Sequence, residues 1–308
     1  MPLKIAVIIP CYNEEVAIAQ TVKDFAAALP EAKIYVYDNN SKDRTIEVAR
    51  AAGAIVRSEH QQGKGNVVRR MLADVDADVY VLTDGDATYD AAAARDMIAL
   101  LVNEELDMVV GSRKHTSDLA YRSGHQFGNK MLTTLLAQMF GNTFKDILSG
   151  YRIFSRRYAK SFPALTSGFE IETEMSVHSL ELKMPVSEYE TKYSERPEGS
   201  VSKLSTYRDG WRILMTMIKL YRVERPMLFF GMLAILLFIL SIVLAIPLGI
   251  TYFETGLVPR LPTAVLVTGL TILAGLCVFA GLILDTVVHG RREVRRLAYL
   301  SHRAPHQD

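Results

Sequence analysis

A chain of 308 residues that is 49% apolar, with a mean hydropathy of +0.13, is richer in apolar residues than a soluble enzyme of its size needs, and long enough for one sizeable domain plus an appendage. Its 35 basic and 34 acidic residues leave a formal charge of +1, which excludes a strongly basic nucleic-acid binder. The two cysteines, Cys11 and Cys277, form no disulfide framework, which fits a reduced compartment.

Taken in chain order, the first 204 residues mix charged and apolar positions in the globular manner. Lys4–Ile9 reads as a buried strand: it is too short for a secretory signal and runs into Pro10, Glu14 and Glu15. A helix is expected over Glu14–Leu29, then a strand over Lys33–Tyr37 and a helix over Asp43–Ala52 closed by Gly53. Ile55–Val56 is a short strand, Gly65–Val75 a helix, Val79–Thr83 a strand, Ala91–Leu101 a helix and Met108–Gly111 a strand. This alternation predicts an α/β domain over 1–204 with a mostly parallel sheet, whose ligands bind beyond the carboxyl ends of the strands.

Residues 205–225 form the next region. Ser205–Val223 is expected as a basic amphipathic helix lying at a membrane surface, with Arg208, Arg212 and Lys219 near one stripe and Trp211, Leu214, Met215 and Ile218 on another. In 226–290, the stretches Met227–Phe253 and Leu261–Leu284 contain no Asp, Glu, Lys or Arg. Each is long enough to cross a hydrocarbon core of about 30 Å, so a transmembrane hairpin is predicted, joined by Glu254–Arg260. Arg222 and Arg225 before it, and Arg291, Arg292, Arg295 and Arg296 after it in the basic tail 291–308, place both ends in the cytoplasm by the positive-inside rule.

Polar residues gather where strands are expected to end: Pro10-Cys11-Tyr12-Asn13-Glu14, Asp38 to Asp43, and Asp84-Gly85-Asp86-Ala87-Thr88. Three acidic loops on one sheet edge call for a cation or a donor-rich ligand. Gly63-Lys64-Gly65 lacks the spacing of a Walker loop and is read as a flexible turn near a nucleotide, with Lys64 as a contact.

Eight segments carry a resemblance. They are IPCYNEE (Ile9–Glu15), YDNNSKDRT (Tyr37–Thr45), GKGNVVRRM (Gly63–Met71), TDGD (Thr83–Asp86), GSR (Gly111–Arg113), DILSGYRIF (Asp146–Phe154), GFEIETEM (Gly168–Met175) and RPEGSVSK (Arg196–Lys203). In this order, with the hairpin, the chain resembles glycosyltransferase family 2 and its GT-A fold, on the side of the polyprenyl-phosphate sugar synthases. The resemblance implies a D-x-D metal site at Asp84 and Asp86 around Gly85, where hard carboxylates suit Mg²⁺ or Mn²⁺. It implies that Asp38 recognises the nucleoside and that Pro10, Tyr12 and Glu14 surround base and ribose. Arg113 and Arg122 match arginines that clamp the acceptor phosphate, while Gln126 stands where a serine is expected. Arg196, Ser200 and Lys203 are placed for a flap over the diphosphate. Asp146 matches a catalytic carboxylate, with Arg152 as its expected partner; the alternative is a buried structural pair.

The implied activity is an inverting transfer of a hexose, UDP-glucose being the favoured donor, to a polyprenyl phosphate at the cytoplasmic face of the inner membrane. Homo-oligomers, dimer or tetramer, are implied as well. A processive polysaccharide synthase would carry Q-x-x-R-W, whereas the single tryptophan, Trp211, sits in Gly-Trp-Arg. Transfer to another membrane lipid such as diacylglycerol, or a non-catalytic adaptor that binds nucleotide-sugar, stand as alternatives.

Overall fold

The computed structural model describes residues 3–115, 133, 134, 137, 144–168, 170–194, 197, 215 and 218–304. Two units make up the chain, Met1–Ile213 together with Val294–Asp308, and Leu214–Glu293.

The first unit is built on a seven-stranded sheet. Strands β1 (Ile5–Cys11), β2 (Lys33–Asp38), β3 (Ile55–Ser58) and β4 (Val79–Leu82) alternate with helices α1 (Ile18–Ala28), α2 (Thr45–Ala51) and α3 (Lys64–Asp74). After α4 (Ala93–Asn103) come β5 (Met108–His115), β6 (Arg152–Ser155), α5 (Arg156–Ser161), α6 (Ile171–Glu181) and β7 (Val186–Tyr193). The sheet order is β3-β2-β1-β4-β6-β5-β7. Of the six neighbouring pairs two depart from the parallel expectation: β6 runs antiparallel to both β4 and β5 and wedges between them. The rest of the ladder is parallel.

The reason these segments are strands is visible in their burial. Ile5 to Ile9 and Val79 to Leu82 are apolar and buried at every position, because helices cover both faces of a parallel sheet. Their core continues into Val22, Phe25, Met97 and Leu101 on the covering helices. Helix α1 starts four residues later than the sequence suggests. Residues 14–17 form a turn instead, and the Glu14 and Glu15 amides bond to the Thr45 and Asp43 side chains at 2.8 and 3.2 Å.

Residues 294–304 return to this unit. Arg295 forms an ion pair with Glu181, the Tyr299 hydroxyl donates to Asp107 at 2.8 Å, and the Arg157 guanidinium lies 4.8 Å from the Tyr299 ring centre. His178 stands beside this segment, buried, with its Nε2 3.0 Å from the Ser161 hydroxyl. Burial first, and then the Arg295 charge, push its pKa down to about 3.

The second unit holds α7 (Pro226–Thr255) and the greater part of α8 (Leu261–Leu300), both long and apolar enough to cross a membrane. Ser241 and Thr271 hydroxyls meet at 2.8 Å between them, and a side chain at Gly281 would press on Met227 and Phe230. At Gly256 a left-handed φ of 67° closes α7, a conformation glycine adopts without strain. Of the expected surface helix, residues 215 and 218–224 are helical, with Met215 and Ile218 exposed; Arg208, Trp211, Arg212 and Leu214 lie outside the described residues.

Candidate active site

The loops after β1, β2 and β4 converge at the carboxyl edge of the sheet. Two of them are stitched together directly: the Asn13 amide donates to Ser41 Oγ at 2.8 Å, and the Lys42 amide to Asn13 Oδ1 at 2.7 Å. Asn13 and Asn40 take left-handed backbone angles, φ 52° and 64°, which asparagine tolerates better than most residues. Asn39 extends the stitching, since its amide nitrogen donates to the Glu59 and Gln61 carbonyls while its oxygen accepts from the Gly63 amide at 2.7 Å.

Cys11 lies at the centre of this convergence. Burial raises its thiol well above the ordinary range, and the charges of Glu14, Asp38, Asp84 and Asp86 raise it further. Four carboxylates from three loops therefore act on one point, as the sequence leads one to expect. Gly85 is required there by contact: a Cβ would stand 2.6 Å from Cys11 Sγ.

Each acid in this group has a distinct environment. Asp38 is buried; one oxygen accepts from the Ser41 amide at 3.1 Å, and the other, Oδ1, is buried with no hydrogen-bond partner in the described structure. An orphaned acceptor on a buried carboxylate is costly unless a ligand donates to it. Asp86 is buried and accepts from the Thr88 hydroxyl at 2.6 Å. Asp84 is more accessible, and its Oδ1 accepts from Lys64 Nζ at 2.5 Å. Pro10 and Tyr12 are half-buried at the end of β1.

Lys64 opens α3 and is nearly enclosed. Its ammonium bridges Asp84 and Glu172 Oε1, the latter also at 2.5 Å. Burial disfavours its charge, but the two carboxylates outweigh that and raise its pKa. The Gly63–Gly65 turn is not a flexible one. A Cβ at Gly63 or Gly65 would fall 2.1 or 2.0 Å from the Ser167 or Thr166 carbonyl oxygen, and Gly63 has φ 131°. Both glycines exist so that the turn can press backbone to backbone against residues 166–167, where the Gly65 amide donates to the Ser167 carbonyl at 3.0 Å.

On the other side of Asp84, Arg113 from β5 donates to Asp146 through Nε at 2.7 Å and Nη2 at 2.9 Å, a two-pronged pair. The sequence paired Asp146 with Arg152 instead. In the structure the Arg152 guanidinium, wholly buried, donates to the Ser149 and Ile147 carbonyls and the Ser176 hydroxyl, at 2.9, 2.6 and 3.0 Å. It thereby holds the 146–150 loop in shape rather than meeting the acid. Burial lowers its pKa, with surrounding acids and tyrosines acting against that.

Two tyrosines join the halves. The Tyr89 hydroxyl accepts from the Gly150 amide at 2.9 Å, its ring lies 5.3 Å from that of Tyr193, and Arg113 sits 5.5 Å over the Tyr193 ring. Gly150 also approaches the acidic cluster, because a Cβ there would stand 2.6 Å from Asp84 Oδ2.

The structure thus brings together Pro10, Tyr12, Glu14, Asp38, Lys64, Asp84, Gly85 and Asp86 on one side, and Arg113 and Asp146 beside them. Arg122, Arg196, Ser200 and Lys203 lie outside the described residues. Sequence reasoning missed Glu172, Tyr89 and Tyr193. Glu172 falls within the quoted GFEIETEM segment, whereas the tyrosines carried no signal. Among the described residues no group of three or more His, Cys, Asp or Glu side chains forms a ready-made metal site. The donor set fits a hard divalent ion all the same: two carboxylates flank a glycine, and a cation already stands on one of their oxygens.

Comparison with known proteins agrees with this geometry. Glycosyltransferase AglJ of Haloferax volcanii is 34% identical over 234 residues, 75% of this chain and 76% of that protein. The dolichyl-phosphate hexose transferase of the same organism is 27% identical over 221 residues, 72% and 95% of the two chains. Glucosyl-3-phosphoglycerate synthase of Mycobacterium tuberculosis, solved with Mn²⁺ and uridine-diphosphate-glucose, superposes with a TM-score of 0.57 at 20% identity, covering 70% of this chain and 79% of that one, a likeness of fold. The profile of "Glycosyl transferase family 2" matches residues 6–162, half of the chain, and the protein belongs to that family: it is a GT-A glycosyltransferase.

Proposed function

We propose that the enzyme moves a hexose from a nucleoside-diphosphate sugar, with UDP-glucose as first candidate, to a polyprenyl phosphate at the cytoplasmic face of the inner membrane. The observation that carries this reading is the side-by-side arrangement of an acidic cluster and an Arg113–Asp146 pair, in a chain that also holds two helices long and apolar enough to span a membrane. The name of the dolichyl-phosphate relative supports the acceptor class, and the Mn²⁺ and uridine-diphosphate-glucose bound by the mycobacterial neighbour support the donor and metal.

In this reading Asp38 Oδ1 accepts from the base, with Pro10, Tyr12 and Glu14 around base and ribose. Asp84 and Asp86 would hold Mg²⁺ or Mn²⁺, which would neutralise charge on the leaving diphosphate. Hard carboxylate oxygens of this kind would suit either ion. The acceptor is a phosphate monoester with a second pKa of about 6, already an anionic nucleophile at neutral pH. It needs orientation rather than deprotonation. Asp146 supplies that by fixing the plane of the Arg113 guanidinium, which with Arg122 receives the phosphate. An acceptor oxygen attacks the anomeric carbon as the bond to the diphosphate breaks; nucleoside diphosphate leaves and an α-linked donor gives a β-linked product. Arg196, Ser200 and Lys203 cover the diphosphate, α7 and α8 form a hairpin with both ends cytoplasmic, and the hairpins associate into a dimer or tetramer.

The test is a transfer assay with detergent-purified full chain, undecaprenyl phosphate, Mn²⁺ or Mg²⁺ and a panel of radiolabelled nucleotide-sugars. An acid-labile lipid product from one donor, lost in Asp86→Ala, is expected. Metal-dependent donor binding with no lipid product from any donor would sink the acceptor assignment.

A further inference from the structure

Lys64 is an unusual residue for its place. It opens α3, where the helix dipole disfavours a positive charge, and it is nearly buried. Two acids from two other elements account for it: Asp84 after β4 and Glu172 on α6, each 2.5 Å from the ammonium. One cation shared by two carboxylates leaves the group with a net charge of −1, one positive charge short of neutral. Glu172 is the more deeply buried of the two acids, with 7% side-chain exposure, and its Oε1 accepts from the Lys64 ammonium. A buried acid stripped of its cation is strongly destabilised, so Glu172 keeps Lys64 whatever happens at Asp84. Asp84, at 28% exposure, is the end of the bridge that an incoming ion reaches.

We propose that Lys64 is a resident counter-ion: its ammonium holds the place of the divalent ion on Asp84 and, when metal and donor arrive, turns onto the donor diphosphate while still tied to Glu172. The inference rests on the reading that a divalent ion meets Asp84 and Asp86. A lysine suits the task because its compact ammonium sits on a flexible stem and can re-aim its three donors. The Gly63 and Gly65 contacts with residues 166–167 fix the turn, so the motion is confined to the side chain. Glu172 is then a positioning residue: it directs Lys64 without touching substrate.

The experiment is a Mn²⁺ titration of the full chain in detergent, followed by electron paramagnetic resonance without nucleotide, and a parallel measurement of UDP binding with Mn²⁺ saturating. The informative variant is Lys64→Met with Glu172→Gln. It leaves the net charge of the three groups unchanged and strands no buried acid. If the ammonium only contributes to the local field, Mn²⁺ affinity stays at the wild-type value. Displacement predicts that Mn²⁺ binds roughly tenfold tighter, because nothing has to leave Asp84, while UDP binds roughly tenfold more weakly, each about the size of one charged contact. Lys64→Gln with Glu172→Gln, which keeps a neutral donor beside Asp84, serves as the second variant and follows the same prediction. Mn²⁺ affinity equal to or weaker than wild type in both variants overturns the inference and leaves the metal site standing. Wild-type Mn²⁺ binding that is absent, or that survives Asp86→Ala, overturns the metal site and the inference together.

Discussion

Asp84 and Asp146 both meet a cation, yet the two meetings differ in kind. Asp146 is held by one guanidinium at two points, Arg113 Nε and Nη2. Asp84 shares a single ammonium with Glu172, so among the described residues its side of the site is short of positive charge. A two-pronged pair in low dielectric is a fixture, since a two-point ion pair is costly to break once buried. A shared cation is exchangeable, because an incoming ion can take one acid while the other keeps the lysine. The Asp84 side is therefore arranged to gain charge and the Asp146 side to hold still.

Several substitutions would break or sharpen that contrast. The largest effect is expected on the exchangeable side: Asp86→Ala should lower transfer by about 10³-fold with little change in melting temperature, comparable to losing a principal electrostatic stabiliser of the transition state. Asp146→Asn should raise the KM for the lipid acceptor about 30-fold and leave the pH profile of kcat in place, because the fixture orients and does not carry a proton. A fall in kcat with a lost basic limb would make Asp146 a general base. Gly150→Ala tests whether the two sides communicate. Its methyl group would intrude on Asp84 from the 146–150 loop and should lower kcat/KM about tenfold, the cost of a misplacement of an ångström or less at the reacting centre.

The smallest effect concerns His178, which faces neither acid. With its native pKa near 3 and an unfolded value of 6.5, the unfolded chain binds the extra proton between those limits. Stability is therefore full above pH 6.5 and lost as pH falls, by about 1 kcal/mol from pH 7 to 5.5. His178→Gln should flatten that slope in thermal melts while transfer, assayed at neutral pH, stays at the wild-type rate.

The half of the sheet around β1 was legible from the sequence for a physical reason. Strands covered on both faces must be apolar throughout, and Ile5–Ile9 and Val79–Leu82 are, with polar loops marking their ends. In β6 the signal fails. It begins with a fully buried arginine, and nothing local says that Arg152 spends its hydrogen bonds on carbonyls or that the strand runs backwards between β4 and β5. Helix α6 hid itself similarly: Glu172, Thr173, Ser176, His178 and Ser179 are all buried, so no apolar stripe betrays it. The acids of the site could be read one by one from their motifs. Their partners could not, since Lys64 and Glu172 are 108 residues apart and Arg113 and Asp146 are 33 apart. Which cation meets which acid is decided by loop packing.

The return of the chain at residue 294 sets a timetable. Asp107 waits 192 residues for Tyr299 and Glu181 waits 114 for Arg295, and α7 and most of α8 are made in the interval. At roughly 5–20 residues per second, synthesis of the partners lags by on the order of ten seconds. The sheet can assemble during that time, but its last fastenings come only after the apolar segments have emerged and found their own surroundings. A nascent chain stalled before residue 294 would present a catalytic unit with its strands in place and Glu181 still awaiting its arginine.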